Sequence, residues 1–308
     1  MLEQRWRQSP WVSQAHAWID ARLAERGIAR TGAIEQPHVY PWSTVMRVPT
    51  EAGAVWFKAN DEATRHEAVV VERIAARRPD VLSEIVAVDR ASGWMLMADA
   101  GETLRVIIER ERDLDRWLRV LPRYAELQLD LAADVDELVA QGVPDRRLVT
   151  LPKAYEQLME QTGAEPRFRD AAPLVADLCA RLGAFGLPEL LQHDDLHDAQ
   201  VFVHDGRYLL LDWGDSCVSH PFFSLSVTLE GGLAWGLDDV ENSVDTAPFR
   251  DAYLQVFAQR LGRTHEELVE ASRVAVRLGW ACRAVNGHVP GDDDRTFTRL
   301  RMFLDGRP

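Results

Sequence analysis

Cysteine is scarce in this chain: three residues in 308, at Cys179, Cys217 and Cys282, odd in number and without paired spacing. That excludes a disulfide scaffold and gives no zinc-type ligand pattern, and it suits a reducing compartment. Long apolar runs are missing too, since none approaches the ~18 residues of a membrane span. The opening residues carry Glu3, Arg5 and Arg7 in place of a signal-peptide apolar stretch. A soluble cytoplasmic protein is therefore expected, with no membrane partner. Basic charge is in deficit, with 35 Lys and Arg against 49 Asp and Glu and a net charge of −14. Such a surface repels phosphate backbones, which excludes nucleic acid as the expected partner and favours cationic small molecules. Repeats and low-complexity tracts are absent as well. The remainder, 46% hydrophobic and 27% charged, is ordinary globular composition, enough for two domains or one domain of two lobes.

The pattern along the chain divides it. Trp11, Ala15, Trp18, Ile19 and Leu23 fall at helical steps after Pro10, and Gly27 closes the segment. Short segments rich in β-branched and aromatic residues follow at 38–40, 45–48 and 54–59, then a helix over 65–77, then strands at 85–88 and 94–97. From Thr103 onward long helical patterns dominate, notably a near-heptad spacing over 114–139. One β island interrupts them: 190–191, then 201–203 and 208–211, joined by His204-Asp205-Gly206-Arg207, whose Asp-Gly centre is a hairpin signal. The expected boundaries are 1–29 for an N-terminal helical extension, 30–100 for a small sheet lobe with one helix, and 101–308 for an α-rich lobe.

Six titratable side chains crowd the β island: His193, Asp194, Asp195, His197, Asp212 and Asp215. A polar loop and hairpin would account for any one of them. Asp212, however, ends an apolar strand, where a carboxylate is partly desolvated unless a cation meets it. Lys58 is the counterpart in the first half, a lysine inside the apolar strand Val55-Trp56-Phe57-Lys58-Ala59; an edge-strand lysine facing water is the ordinary alternative.

The run His193-Asp194-Asp195-Leu196-His197-Asp198-Ala199-Gln200, followed by Leu211-Asp212-Trp213-Gly214, resembles the catalytic loop and metal segment of the aminoglycoside phosphotransferase and choline-kinase-like family. The likeness spans roughly residues 36–224. It implies an α+β fold of protein-kinase type: two lobes, a small N-terminal mixed sheet with one helix and a larger α-rich C-terminal lobe, with ATP held between them. The implied activity is transfer of the γ phosphate of ATP to a hydroxyl of a small-molecule acceptor with Mg²⁺ present. Family members act on antibiotics, choline, sugars and amino-acid-like alcohols.

By the same resemblance Asp195 accepts or orients the acceptor hydroxyl, and Gln200 and Asp212 ligate Mg²⁺. Lys58 holds the α and β phosphates, oriented by Glu67, with Glu72 as runner-up. Residues 41–44 take the place of the phosphate loop, so backbone N–H groups of Ser43 or Thr44 would touch a phosphate oxygen. Met97 would pack on adenine, with backbone groups of Ala98 and Ala100 pairing with it. His193 and His197 would brace the loop.

Three departures stand out. Gln200 replaces the family's Asn, Asp194 stands where glycine is usual, and the phosphate loop has no glycine. Asp194 either turns to solvent, contacts a cationic substrate or perturbs Asp195. Two other readings remain: a non-catalytic nucleotide or metabolite binder of the same fold, and a metal-dependent hydrolase using His193, Asp195, His197 and Asp212 as ligands.

Overall fold

A computed structural model describes residues 2–306 and divides the chain into two units, Met1–Glu102 with Phe202–Gly214, and Thr103–Val201 with Asp215–Pro308. The return of 202–214 to the first unit is a feature that residue order alone hides.

In the first unit, α1 (Ser9–Glu25) begins with Pro at its first turn and ends before Gly27, whose φ of 69° only glycine adopts without strain. It buries Ala15, Ile19 and Leu23, four residues apart and so on one face. That face joins Met46, Val48, Val55, Phe57, Ala59, Val86 and Leu96 of the sheet in one core. The N-terminal extension thus belongs to the core of the first unit. Trp11 and Trp18 close it with edge-on contacts to Trp94 at 6.2 and 5.7 Å between ring centres.

The sheet comprises β1 (Glu35–Val39), β2 (Ser43–Thr50), β3 (Gly53–Asn60), β4 (Ile85–Asp89) and β5 (Trp94–Ala98), in the order β1-β2-β3-β5-β4. All its pairings are antiparallel, where a mixed sheet was expected. The cause is the crossover through α2 (Glu67–Arg77): it makes β3 and β4 parallel in direction, but β5 inserts between them and is antiparallel to both. The later hairpin, Val201–His204 and Arg207–Leu210, turns on Asp205 and Gly206 with φ of 49° and 74°. Positive φ at both centres is what a two-residue turn matched to strand twist demands.

The second unit is helical around the strand pair Leu190–Gln192 and Cys217–Ser219. The helix expected over 114–139 is broken: Trp117–Asp130 gives way to a tight turn at Ala132–Asp134 and resumes as Val135–Ala140. The buried set shifts there from helical spacing to the crowded Leu127, Gln128 and Leu129, then Leu131, and the tightened turn brings Leu138 inward.

The helix His265–Asn286 crosses the turn Pro221–Phe223 at Gly279. A Cβ there would stand 2.9 Å from the Phe223 carbonyl oxygen and 3.1 Å from its Cα. Alanine is the better helix former by about 1 kcal/mol, but overpacking against backbone costs about 1–3 kcal/mol. Gly279→Ala is therefore expected to lower the thermal midpoint by a few degrees; an unchanged or raised midpoint in calorimetry would show that the turn yields freely.

Candidate active site

On β3 the side chains alternate, so Phe57 and Ala59 enter the core while Lys58 and Asn60 share the opposite face. Both reach Glu67, the first residue of α2, which is 1% exposed. The Lys58 Nζ lies 2.9 and 2.6 Å from the two Glu67 oxygens. Asn60 Nδ2 donates to Oε2 at 2.8 Å and the Trp213 backbone N–H to Oε1 at 3.1 Å. The same ammonium meets Asp212 Oδ1 at 2.5 Å. Burial alone would push the Lys58 ammonium down; Asp212 and then Glu67 outweigh it and hold the group above its ordinary value. Burial pushes the Glu67 carboxyl up, against the pull of Lys58. Glu72, the runner-up, instead pairs with Arg90.

Asp212 follows the strand Arg207–Leu210 with a φ of 63°, a left-handed conformation that aspartate tolerates better than most residues. Its side chain is 50% exposed. The buried Trp213 behind it donates from Nε1 to the Leu210 carbonyl at 2.9 Å. Lys58, Glu67 and Asp212 are thus brought together.

The glycine-free loop at 40–42 is held by side chains. Trp6 Nε1 donates to the Tyr40 carbonyl at 2.8 Å, Arg5 to that of Pro41 at 3.3 Å, and the Asp61 N–H to that of Trp42 at 2.7 Å. The rings of His38, Tyr40 and Trp42 stack with interplanar angles of 9° and 8°. Ser43 opens β2, buried and paired with Asn60, and Thr44 Oγ1 donates to the His38 carbonyl at 2.7 Å. At the far end of β5, Met97 is buried against the sheet and the Ala98 N–H donates to the Glu84 carbonyl at 2.8 Å, so that donor is engaged. Asp99 folds back to accept from the Gly101 N–H at 2.7 Å and from Trp56 Nε1 at 2.8 Å, shaping the backbone around Ala100. Gly101 has a φ of 82°, and a Cβ on it would lie 2.3 Å from the Val203 carbonyl oxygen; no other residue fits there.

In the second unit the loop at 193–200 is anchored from below: the His193 N–H donates to the Tyr124 hydroxyl at 2.8 Å, and that hydroxyl shares a 2.6 Å hydrogen bond with Ser224. His197 Nδ1 accepts from the Ala199 N–H at 3.2 Å, and the Gln200 N–H donates to the His197 carbonyl at 2.9 Å. The Gln200 amide nitrogen lies 3.4 Å from His197 Nε2, which is itself 3.8 Å from Asp195 Oδ2. Asp195 and Gln200 therefore flank one imidazole.

Sequence reasoning missed the cation that faces Asp195. Arg283, 4% exposed, places Nη2 at 2.9 Å from Asp195 Oδ1 and 2.8 Å from Asp215 Oδ2, with Nη1 at 3.5 Å from Asp194 Oδ2. Burial would push the Asp195 carboxyl up, but Arg283 first, then His197 and His193, hold it below its usual range. Asp194 neither turns to solvent nor is open to a substrate: it is 1% exposed and accepts from Asn286 Nδ2 at 3.0 Å. Burial pushes its carboxyl up to about 6.

A cavity of about 590 Å³ lies within this unit, lined by Trp117, Trp235, Arg105, Glu109, His197 and Asp198 among others. Arg105 is tied to Asp198 at 2.7 Å. Among the described residues, the one group of three donors close enough to share a metal ion is Asp194, Cys217 and Cys282. It is not the ligand set of the hydrolase reading, and burial, followed by Cys217, pushes the Cys282 thiol well up.

The model of the phosphotransferase enzyme family matches residues 47–270, from β2 into the helix that carries Arg283. The chain belongs to this family. The loop at 193–200 and the strand end at 211–214, on which the resemblance rested, both lie inside the match. This phosphotransferase is similar in fold to an ethanolamine kinase of Plasmodium vivax, at 12% identity and a TM-score of 0.63 over 96% of this chain and 89% of that one. It also resembles a choline kinase of Streptococcus pneumoniae, at 14% identity and a TM-score of 0.63 over 94% and 98% of the two chains. A third similar structure is a wild-type aminoglycoside 2′-phosphotransferase solved as its GDP complex, at 15% identity and a TM-score of 0.60 over 94% and 97%. A search of curated proteins finds no match. The kinase-like α+β fold of the phosphotransferase is thereby established, and no helix among its described residues is long and apolar enough to cross a membrane.

Proposed function

We propose that this phosphotransferase moves the γ phosphate of ATP to a hydroxyl of a small molecule. The observation that carries the reading is Lys58, a buried ammonium fixed by Glu67 and ending at a half-exposed carboxylate. A cation already oriented at a strand face is what phosphate binding needs, because the protein's part in phosphoryl transfer is positioning and charge. In this reading Lys58 holds the α and β phosphates and Glu67 orients it. The loop that follows Tyr40 lies over the phosphates, with the backbone of Ser43 or Thr44 toward an oxygen. Met97, Ala98 and Ala100 receive the adenine, Ala98 through its carbonyl since its N–H is engaged.

Magnesium is the cation whose chemistry suits the donors present, a carboxylate at Asp212 and an amide oxygen at Gln200, both hard oxygen ligands. Bound there, it would neutralise charge developing on the phosphate oxygens. Asp195 takes or orients the acceptor hydroxyl, and His197 steadies it. The cavity beside His197 and Asp198 has the size of a small-molecule site, and the similar choline and ethanolamine kinases and aminoglycoside phosphotransferase support small alcohols as acceptors. The net charge favours those bearing an amine.

The test is ATP consumption with Mg²⁺ across a panel of aminoglycosides, macrolides, choline-like alcohols and sugars. Turnover that depends on one of these acceptors is expected. Tight ATP binding with no turnover on any would instead identify a retired kinase-like binder. Asp212→Ala separates the metal role: by calorimetry, wild-type nucleotide affinity is expected to rise with Mg²⁺ and that of the variant to be indifferent to it. Wild-type affinity that ignores Mg²⁺ would remove Asp212 from the metal.

A further inference from the structure

We infer that Arg283 is a positioning residue for the transfer reaction, its guanidinium fixing the Asp195 carboxylate in place while Asp194 helps to neutralise and hold that guanidinium. The inference rests on the assignment of Asp195 proposed above and names what controls it.

The geometry is specific. One planar fork spans three carboxylates, Asp195, Asp215 and Asp194, as a guanidinium can and an ammonium cannot. The fork is itself held: Asn286, one turn further along the helix His265–Asn286, donates to Asp194 Oδ2 at 3.0 Å and to the Asp215 carbonyl at 2.6 Å. Arg299, from the helix Asp293–Asp305, donates to the Gly287 carbonyl at 2.5 Å and contributes a second positive charge facing the group. Two guanidinium groups thus meet three carboxylates, and His193 and His197 also act on Asp195.

Asp194 explains itself in this setting. It stands in a left-handed conformation, φ 64°, where a glycine would be unstrained, and it is buried with an elevated proton affinity. A buried carboxylate in a strained backbone position persists where something compensates for it, and Arg283, Asn286 and Gln192 are among its partners. Asp194 adds a third counter-charge to Arg283, the most deeply buried of the three, on the Nη1 side of the fork that Asp195 and Asp215 leave to it. Without Arg283, Asp195 would lose the donor that fixes its Oδ1 and would gain a neighbouring buried carboxylate unopposed.

Arg283→Met alone strands Asp194 and Asp215, and loss of folding would then say nothing of catalysis. The informative variant is the double Arg283→Met/Asp194→Asn, compared with Asp194→Asn alone, since it removes the buried anion together with its partner. The first readout is the pH titration of the Asp195 carboxyl by ¹³C NMR of aspartate-labelled protein, with the resonance assigned by its disappearance in Asp195→Asn. Removing a neighbouring cation favours the protonated carboxyl, so the midpoint is expected at least one pH unit higher in the double variant than in Asp194→Asn. The second readout is ATP hydrolysis with Mg²⁺ and water as acceptor: the double variant is expected to lose tenfold or more in kcat, with its acid limb moved to higher pH and its KM for ATP little changed. Arg283→Lys keeps a charge without the fork, so its midpoint should stay near the wild-type value while kcat still falls. A folded double variant with an unmoved midpoint, or with wild-type kcat and acid limb, overturns the inference. If Asp195→Ala hydrolyses ATP at the wild-type rate, the Asp195 assignment itself fails, a result separable from the carboxyl titration.

Discussion

Asp195→Ala is expected to lower turnover by a factor on the order of 10² to 10⁴, the range for a positioned acid-base group, while ATP affinity by calorimetry stays close to wild type. The separation follows from where the charges sit. Lys58, Glu67 and Asp212, the groups proposed for the nucleotide, make their contacts among themselves, and Asp195 makes its contacts with Arg283 and His197. A carboxyl held below its usual range is a weak base. In the proposed reaction its part would therefore be to align the hydroxyl and to accept the proton late, which a loose transition state permits. The sign for pH follows: a base whose proton affinity is depressed stays ionised down to lower pH, so the acid limb of kcat should lie below the ordinary carboxylate range. Turnover unchanged in the alanine variant would end this assignment.

Lys58→Met is expected to act twice, on folding and on the nucleotide. Glu67 would keep Asn60 and the Trp213 N–H but lose its counter-charge at 1% exposure, and breaking a buried pair from one side costs about 3–5 kcal/mol. Nucleotide binding should fall at the same time. Lys58→Met/Glu67→Gln distinguishes the effects. With the stranded charge removed, thermal stability should return toward wild type, whereas ATP affinity should not. Recovery of both in the double variant would mean that Lys58 acts only as a structural partner of Glu67.

Lys58 was legible because a charge inside an apolar strand has no solvated reason to be there, and Glu67 through the family resemblance, which placed a glutamate at the start of the helix and left Glu72 as runner-up. Asp212 was legible from its place at the end of an apolar strand. The strands and the hairpin turn announced themselves through β-branched runs and Asp-Gly. Arg283 was not legible: it lies on a helix that carries charges throughout, and nothing local tells a guanidinium that faces three carboxylates from one that faces water. Asp194 was misleading for the same reason, since of its partners only Gln192 is near in sequence, while Arg283 and Asn286 stand 89 and 92 residues away. The mixed sheet failed on topology, because strand periodicity says which residues pair inward but not that β5 would come between β3 and β4. The role of Trp6 in holding the loop at Tyr40 was equally out of reach, as a tryptophan before an amphipathic helix reads as core.

The return of residues 202–214 to the first unit has a bearing on how the chain comes off the ribosome. Lys58 and Asp212 are 154 residues apart, and at a synthesis rate of about 5–20 residues per second the aspartate follows the lysine by about 8–30 s. Through that interval the nascent sheet carries its lysine with Glu67 as the sole carboxylate of the pair-to-be, and Glu67 still lacks the Trp213 N–H. The first unit can collapse on α1 and its tryptophans before this, but its charged interior is completed only by a segment made after nearly a hundred residues of the other unit. The first unit is therefore completed late, and a chain arrested near residue 200 would display a hydrophobically folded sheet with an unfinished charge cluster.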